Sequence, residues 1–248
     1  MEMKKLALVC MGAALLAGCG GSNSDNIKMI TEATFPPYEF LRGHEVVGID
    51  VEICRAVAQR LGREFRVESV NFDSVIPALI SGKADLAAAG ITVTEERKKN
   101  VDFSDPYVTT GIVVIYRKSN PYTTTEALKG KRIAVQSGTT SETFVLQKLG
   151  QEPHRYNSPA EAVAAMKAGR GDFVIADIDP AKNCVKGEDD LGLSPFVSTE
   201  DYAVAIRKGQ PELLKAINET IAEIRRDGRL DKWIADFTAE ADALKETK

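Results

Sequence analysis

The chain predicts an α/β protein, and three observations lead there. Short apolar strands and helix-period segments alternate along its length, the pattern of parallel strands joined through helices. A helix–glycine–strand unit occurs twice at constant spacing. The polar and glycine-rich stretches follow strands, at the carboxyl ends where open parallel sheets bind ligands. With 248 residues, 44% of them apolar, the chain has material for one large domain or two small ones. A formal charge of −4 offers no basic stripe for nucleic acid.

Lys4-Lys5 precede an apolar run from Leu6 to Leu16, too short to span a membrane as a mature helix, and residues 1–18 have the pattern of a bacterial secretory signal. Leu16-Ala17-Gly18-Cys19 resembles the lipobox of lipoproteins. That likeness implies Cys19 as a lipidated first residue, with residues 19–26 a flexible membrane tether. A plain signal cleaved elsewhere is the alternative. Cleavage before Cys19 removes Glu2, Lys4 and Lys5, a net +1, and takes the formal charge from −4 to −5.

Lys28–Thr31 is the first strand. Asp50 is placed to cap a helix running to Leu61 and stopped by Gly62. Phe65–Val70 is a second strand, and Asp73 caps a helix ending at Gly82. Leu86–Ala89, Ile112–Tyr116, Arg132–Val135 and Phe173–Ala176 are further strands. Thr139-x-x-Glu142 is a capping box that opens a helix to Leu149. A stripe of Leu213, Ile217, Ile221 and Ile224 breaks at Gly228, and a last helix buries Leu230, Trp233, Ile234 and Phe237. The charged tail after Thr238 is expected to fray.

Of four cysteines, Cys10 lies in the signal and Cys19 is the anchor candidate. Cys54 falls on the apolar face of Ile53, Val57 and Leu61, a core position. Cys184 lies far off in sequence, and a disulfide between the two has no support. Without a Cys-x-x-Cys or a histidine partner, neither metal binding nor nucleophilic catalysis is favoured. His44 and His154 sit in polar surroundings and read as surface residues. No metal and no cofactor is called for.

Ala78–Gly90 lines up without gaps on Ala165–Asp177: helix end, glycine, basic residue, aspartate, apolar strand. Two lobes on one plan account for the echo; so does a recurrent helix–glycine–strand idiom. In the two-lobe reading Gly90 and Asp177 are equivalent strand ends facing one another.

The run Gly90-Ile91-Thr92-Val93-Thr94-Glu95-Glu96-Arg97 carries the clearest chemistry. A strand ending in Gly-x-Thr and opening a helix directs free backbone N–H groups at one spot. A nearby arginine fork suits a carboxylate, which it can bind bidentately. A surface loop with a solvated arginine is the bland alternative. Glu32, Phe35 and Phe72 follow other strands, as do Gln136 through Thr140, and Asp177 ends its strand.

In sequence order, these residues resemble the periplasmic amino-acid-binding proteins of bacterial ABC uptake systems, solute-binding protein family 3. The likeness runs from Ile27 to about Phe237. Its carriers are Glu32–Phe40, Val47-Gly48-Ile49-Asp50-Val51, Ile76-Pro77-Ala78-Leu79, Gly90–Tyr107, Ala134–Thr140 and Tyr202-Ala203-Val204-Ala205-Ile206. The resemblance implies a two-lobed fold with two crossover hinge strands, near Val108–Gly111 and Thr199–Tyr202. Residues 27–109 and 200–248 would form a discontinuous first lobe, and residues 110–199 the second.

The same resemblance implies site roles. Gly90 is similar to the residue whose carbonyl receives a ligand α-ammonium, and Asp177 to the carboxylate paired with it. Thr92 and Arg97 resemble the α-carboxylate clamp, and Thr140 would add helix N–H groups, with Thr139 as cap. Phe35 and Phe72 resemble aromatic walls. Glu32, with Gln136, would favour a polar or basic side chain. The implied partners are a free L-amino acid, an ABC permease and, through the lipid, a membrane. Secreted dehydratases acting on prephenate or arogenate also resemble this pattern, with a glutamate general acid where Asp177 stands. An amino-acid-sensing lipoprotein is a third reading.

Overall fold

The computed structural model describes residues 26–246, so Cys10, Cys19, the signal segment and residues 20–25 of the tether lie outside the described residues. Asn26, expected as the tether's last residue, already begins β1 (Asn26–Thr31). There follow β2 (Thr34–Phe35), β3 (Glu39–Arg42), β4 (Glu45–Val47), α1 (Ile49–Arg60), β5 (Glu64–Ser69), α2 (Phe72–Ile80), β6 (Leu86–Ala87), α3 (Glu95–Lys98) and β7 (Val101–Phe103). β8 (Val108–Arg117) leads to β9 (Ile133–Gln136), α4 (Thr140–Phe144), β10 (His154–Tyr156), α5 (Pro159–Lys167), β11 (Phe173–Asp177), α6 (Ile178–Val185) and β12 (Leu191–Leu193). β13 (Ser198–Tyr202), β14 (Ala205–Arg207), α7 (Pro211–Arg226) and α8 (Arg229–Glu246) close the chain.

Two sheets organise the molecule, and they share one spatial pattern of strand directions. The first runs β5-β1-β6-β14-β7; the second, β10-β9-β11-β8-β12. In each, an inner strand has two parallel neighbours, and another strand runs antiparallel between the next pair: β14, which comes after its neighbours in the chain, in the first sheet, and β8, which comes before them, in the second. The sequence echo is closed by the same bonds in both halves. Asp85 Oδ2 accepts from the Lys28 N–H at 3.0 Å, and Asp172 Oδ2 from the Arg132 N–H at 2.9 Å. Gly82 and Gly169 end their helices at φ 80 and 77, conformations that favour glycine. The echo is therefore a repeated lobe plan, and the fold is two-lobed α/β.

The sheets are mixed, where strand–helix alternation alone pointed to parallel ones. The chain leaves the first sheet after β7, enters the second through β8, and returns through β13 to β14. The strands that make these transfers run against their neighbours. β8 and β13 pair antiparallel, from Ser198–Ile112 to Tyr202–Val108.

Each sheet is buried on both faces, which is why its inner strands read as continuous apolar runs. Ile27 and Met29 face a core shared with α1, α7 and α8, while Ile30 faces the core beneath α2. In the second lobe Val113 and Ile115 point toward α5 and α6, and Ile112 and Val114 toward the α4 side.

Several helix ends differ from the sequence expectation. Asp50 does not cap α1: the chain turns in at Gly48, and Asp50 lies fully buried in the first turn. A Cβ on Gly48 would stand 2.1 Å from the Tyr38 carbonyl oxygen, at φ 137, so only glycine admits this entry. Asp73 likewise sits inside the first turn of α2, behind Asn71. Thr139 does cap α4 and accepts from the Glu142 N–H at 3.3 Å, but Glu142 reaches back to the Gly138 N–H rather than to that of Thr139. The helix continues to Leu149 as a π-helical turn. The tail does not fray at Thr238: α8 runs to Glu246, with Ala241 buried and Arg42 paired to Glu240. Trp233 and Ile234 are only partly buried, whereas Leu230 and Phe237 are core. Cys54 lies in the first lobe and Cys184 in the second, and no disulfide joins them.

Candidate functional site

Gly90 follows β6, where the strand gives out two residues earlier than expected. Its φ is 55, and a Cβ there would meet the Phe35 ring at 2.7 Å. Its N–H donates to Asp50 Oδ2 at 2.9 Å, so α1 fixes this turn through a buried carboxylate. Thr94 then caps α3 by accepting from the Arg97 N–H at 3.1 Å, which sets Arg97 on the helix's first turn.

The Arg97 guanidinium is held by carbonyls. Nη1 donates to Thr92 O at 2.8 Å, and Nη2 crosses to Gly138 O in the second lobe at 3.0 Å. The group lies 5.6 Å above the Phe72 ring centroid. Among the described residues no carboxylate comes within ion-pair distance of it, and desolvation pulls its pKa below the usual arginine value. Two of its five N–H groups are spent on these carbonyls, which leaves a fork for an anion.

Across from it, β11 ends in Asp177. Burial raises this carboxyl to about 7, against the Tyr202 hydroxyl that donates to Oδ1 at 2.5 Å. Thr140 opens α4, where the first N–H groups have no intrahelical acceptor. Thr139 spends its one proton on the Gln136 carbonyl at 2.7 Å, so its hydroxyl is structural. Gln136 Nε2 donates to Glu32 Oε2 at 2.7 Å and to the Asn157 carbonyl at 2.9 Å. Desolvation pushes Glu32 up to about 7.

These residues enclose one cavity of about 260 Å³ between the lobes. Phe35, Phe72, Gly90, Thr92 and Arg97 line it from the first lobe; Gln136, Thr139, Thr140 and Asp177 from the second. Ala89 completes the lining, and of the ten residues singled out in sequence only Glu32 is set back, behind Gln136. Wider grooves exist, one of about 730 Å³ along Thr92, Thr140 and Glu200, but they are more open to solvent. Sequence reasoning missed Asp50, taken for a cap, and Tyr202, whose motif was noted without a role. It also missed Glu200, which sits under the Thr92 and Thr140 hydroxyls on β13. Tyr202 ends its strand, but Asp50 lies in a helix's first turn and Glu200 inside β13, so strand-end polarity did not mark those two.

A two-lobed α/β frame closing on a cavity with one cationic and one anionic wall defines a solute-binding protein. Residues 27–240 match the model of the bacterial extracellular solute-binding proteins, family 3, and the chain belongs to that family. It is 34% identical to the arginine-binding extracellular protein ArtP of Bacillus subtilis, over 93% of this chain and 96% of that one. It is also 34% identical to the L-cystine-binding protein TcyJ of Escherichia coli, over 84% and 82%. A solved ancestral arginine-binding protein bound to arginine superposes with a TM-score of 0.79 at 38% identity, covering 86% of this chain and 98% of that one. These relatives are binding proteins, and the chain is not an enzyme; the dehydratase alternative falls.

Proposed function

We propose that this protein captures a free L-α-amino acid with a polar or basic side chain between its lobes and delivers it to an ABC permease. The observation that carries this is the pairing of opposite charges across the cavity, Arg97 on one lobe and Asp177 on the other. An α-amino acid presents a carboxylate and an ammonium, one for each. Thr92 and the α4 N-terminus at Thr140 would share the carboxylate; the Gly90 carbonyl would share the ammonium. Phe35 and Phe72 would wall the side chain, with Gln136 and Glu32 at its far end.

The contacts belong to different lobes, so they exist together only in the closed form, and ligand shifts the population toward closure. The moving bodies are residues 27–109 with 200–248, and residues 110–199, turning about β8 and β13. Cys19 would carry the lipid that keeps the protein in the periplasm or at the outer face of the cell membrane; replacing it by serine should release the protein in soluble form. ArtP and TcyJ, named for different ligands, are equally identical to this chain, so their names do not choose between ligands. A melting-temperature titration against the common amino acids tests the reading. A rise with arginine, lysine, histidine or glutamine supports it; a response only to aspartate or leucine overturns the side-chain preference.

A further inference from the structure

Behind Gly90, outside the cavity, lies a group of acids that no cation among the described residues pairs with. Asp50 is fully buried, and the Glu39 carboxyl and the Tyr107 hydroxyl face its carboxylate. Glu39 Oε1 and Oε2, Asp50 Oδ1 and the Tyr107 hydroxyl oxygen are all shut off from solvent, and none finds a hydrogen-bond partner among the described residues. The groups that face it from neighbouring elements are Tyr38, Cys54, Glu32 and Asp177, each acidic or neutral.

Two ionised carboxylates side by side in a dry core repel each other and lose hydration together, so one of them holds a proton. Hydrogen bonding identifies which. Asp50 receives the Gly90 N–H at 2.9 Å, a bond that favours its ionised form. Glu39 receives no N–H and is wholly buried. A proton on Glu39 supplies one donor for Asp50 Oδ1 and the Tyr107 hydroxyl a second, so that of the four oxygens one Glu39 oxygen stays without a donor.

We propose that Glu39 and Asp50 form a proton-sharing pair in which neutral Glu39 keeps Asp50 ionised, and Asp50 is the positioning residue for the Gly90 turn in the ammonium subsite. The consequence for ligand rests on the amino-acid reading above; the consequence for the empty protein does not. Burial agrees with the division, raising Asp50 to about 6 and Glu39 well above its ordinary value.

The test uses the ligand-free protein first. At pH 9, where Asp177 and Glu32 are ionised, infrared difference spectra should show the C=O band of a neutral carboxylic acid in the native protein and not in Glu39→Gln. The Gly90 amide proton resonance should be shifted downfield in both, and return upfield in Asp50→Asn. L-arginine binding by calorimetry should change less than two-fold in Glu39→Gln and weaken ten-fold or more in Asp50→Asn. A native protein without the neutral-acid band, a band that persists in Glu39→Gln, or a Gly90 amide unmoved in Asp50→Asn would overturn the proposal. If the spectra behave as expected and no amino acid binds, the pair stands and the ligand reading fails.

Discussion

Arg97, rooted in the first lobe, donates through Nη2 to the Gly138 carbonyl of the second at 3.0 Å. One cation thus spans the cleft while keeping N–H groups for a ligand. Removing it should cost both. Arg97→Ala is expected to weaken amino-acid binding about a hundred-fold, the ~3 kcal/mol of a charge-assisted pair. Arg97→Lys keeps the charge and loses the fork, for a loss of about ten-fold. Calorimetry decides; an unchanged affinity in Arg97→Ala places the carboxylate elsewhere.

Asp177 and Glu32 both sit at about 7 in the folded protein, raised by burial. Their folded values exceed those of the unfolded chain, near about 4. Their contribution to stability is therefore full below about pH 4 and is lost as pH rises through about 7. Ligand binding carries the opposite sign, because the ammonium needs an ionised Asp177. Affinity should rise with pH to about 8 and fall by up to about ten-fold per unit below 7. Urea melts and calorimetry at matched pH should show the two trends crossing. Asp177→Asn should flatten the affinity trend between pH 5 and 8.

Gly138 has φ 77, and a Cβ there would stand 3.0 Å from the Asp73 Cα of the other lobe. Gly138→Ala is expected to hinder closure, lowering affinity about ten-fold for a stability loss of about 1 kcal/mol. Equal loss of affinity and of melting temperature in every ligand state would show instead a plain folding defect.

Gly48 meets backbone rather than a movable side chain. With the Tyr38 oxygen 2.1 Å from the Cβ position, Gly48→Ala has no cheap escape. A destabilisation of about 3 kcal/mol or more is expected in denaturant titration. Gly62→Ala, with nothing within 4 Å of its Cβ position, should lose far less.

Glu32 lies behind Gln136, so its influence on the ligand side chain is electrostatic. Glu32→Gln should lower the preference for arginine over glutamine about five- to ten-fold, measured as a ratio of Kd values. A ratio that does not move would leave Glu32 as a strut for Gln136.

Much of this arrangement was legible in the residues. The glycine–aspartate unit at 82–85 and 169–172 marks two equivalent strand entries, because glycine supplies the left-handed turn and aspartate ties the strand to its neighbour. Strand-end polarity marked Gly90, Arg97 and Asp177, since an apolar strand does not end in a buried charge without use for it. Asp50 was misread because a helix-start aspartate is usually a cap. Here the helix is entered at Gly48, two residues too early for that role. The tail was misread because its charges hide Ala241, and the pairs of Arg42 with Glu240 and of Lys186 with Asp242 hold the last turns of α8.

By itself the sequence determined the alternating elements, the doubled lobe plan and the chemical types that gather at strand ends. These follow from local propensity and from the period of apolar residues, which act over a few positions. Only the tertiary structure decided that strands re-entering from the other lobe run antiparallel, and that Arg97 and Asp177 face one cavity. It alone decided that Asp50 turns from the helix end to Gly90. Those outcomes depend on contacts between residues 40 to 100 or more positions apart, such as Asp50 with Gly90 and Ser104 with Val204, whose geometry is set by packing rather than by neighbours in the chain.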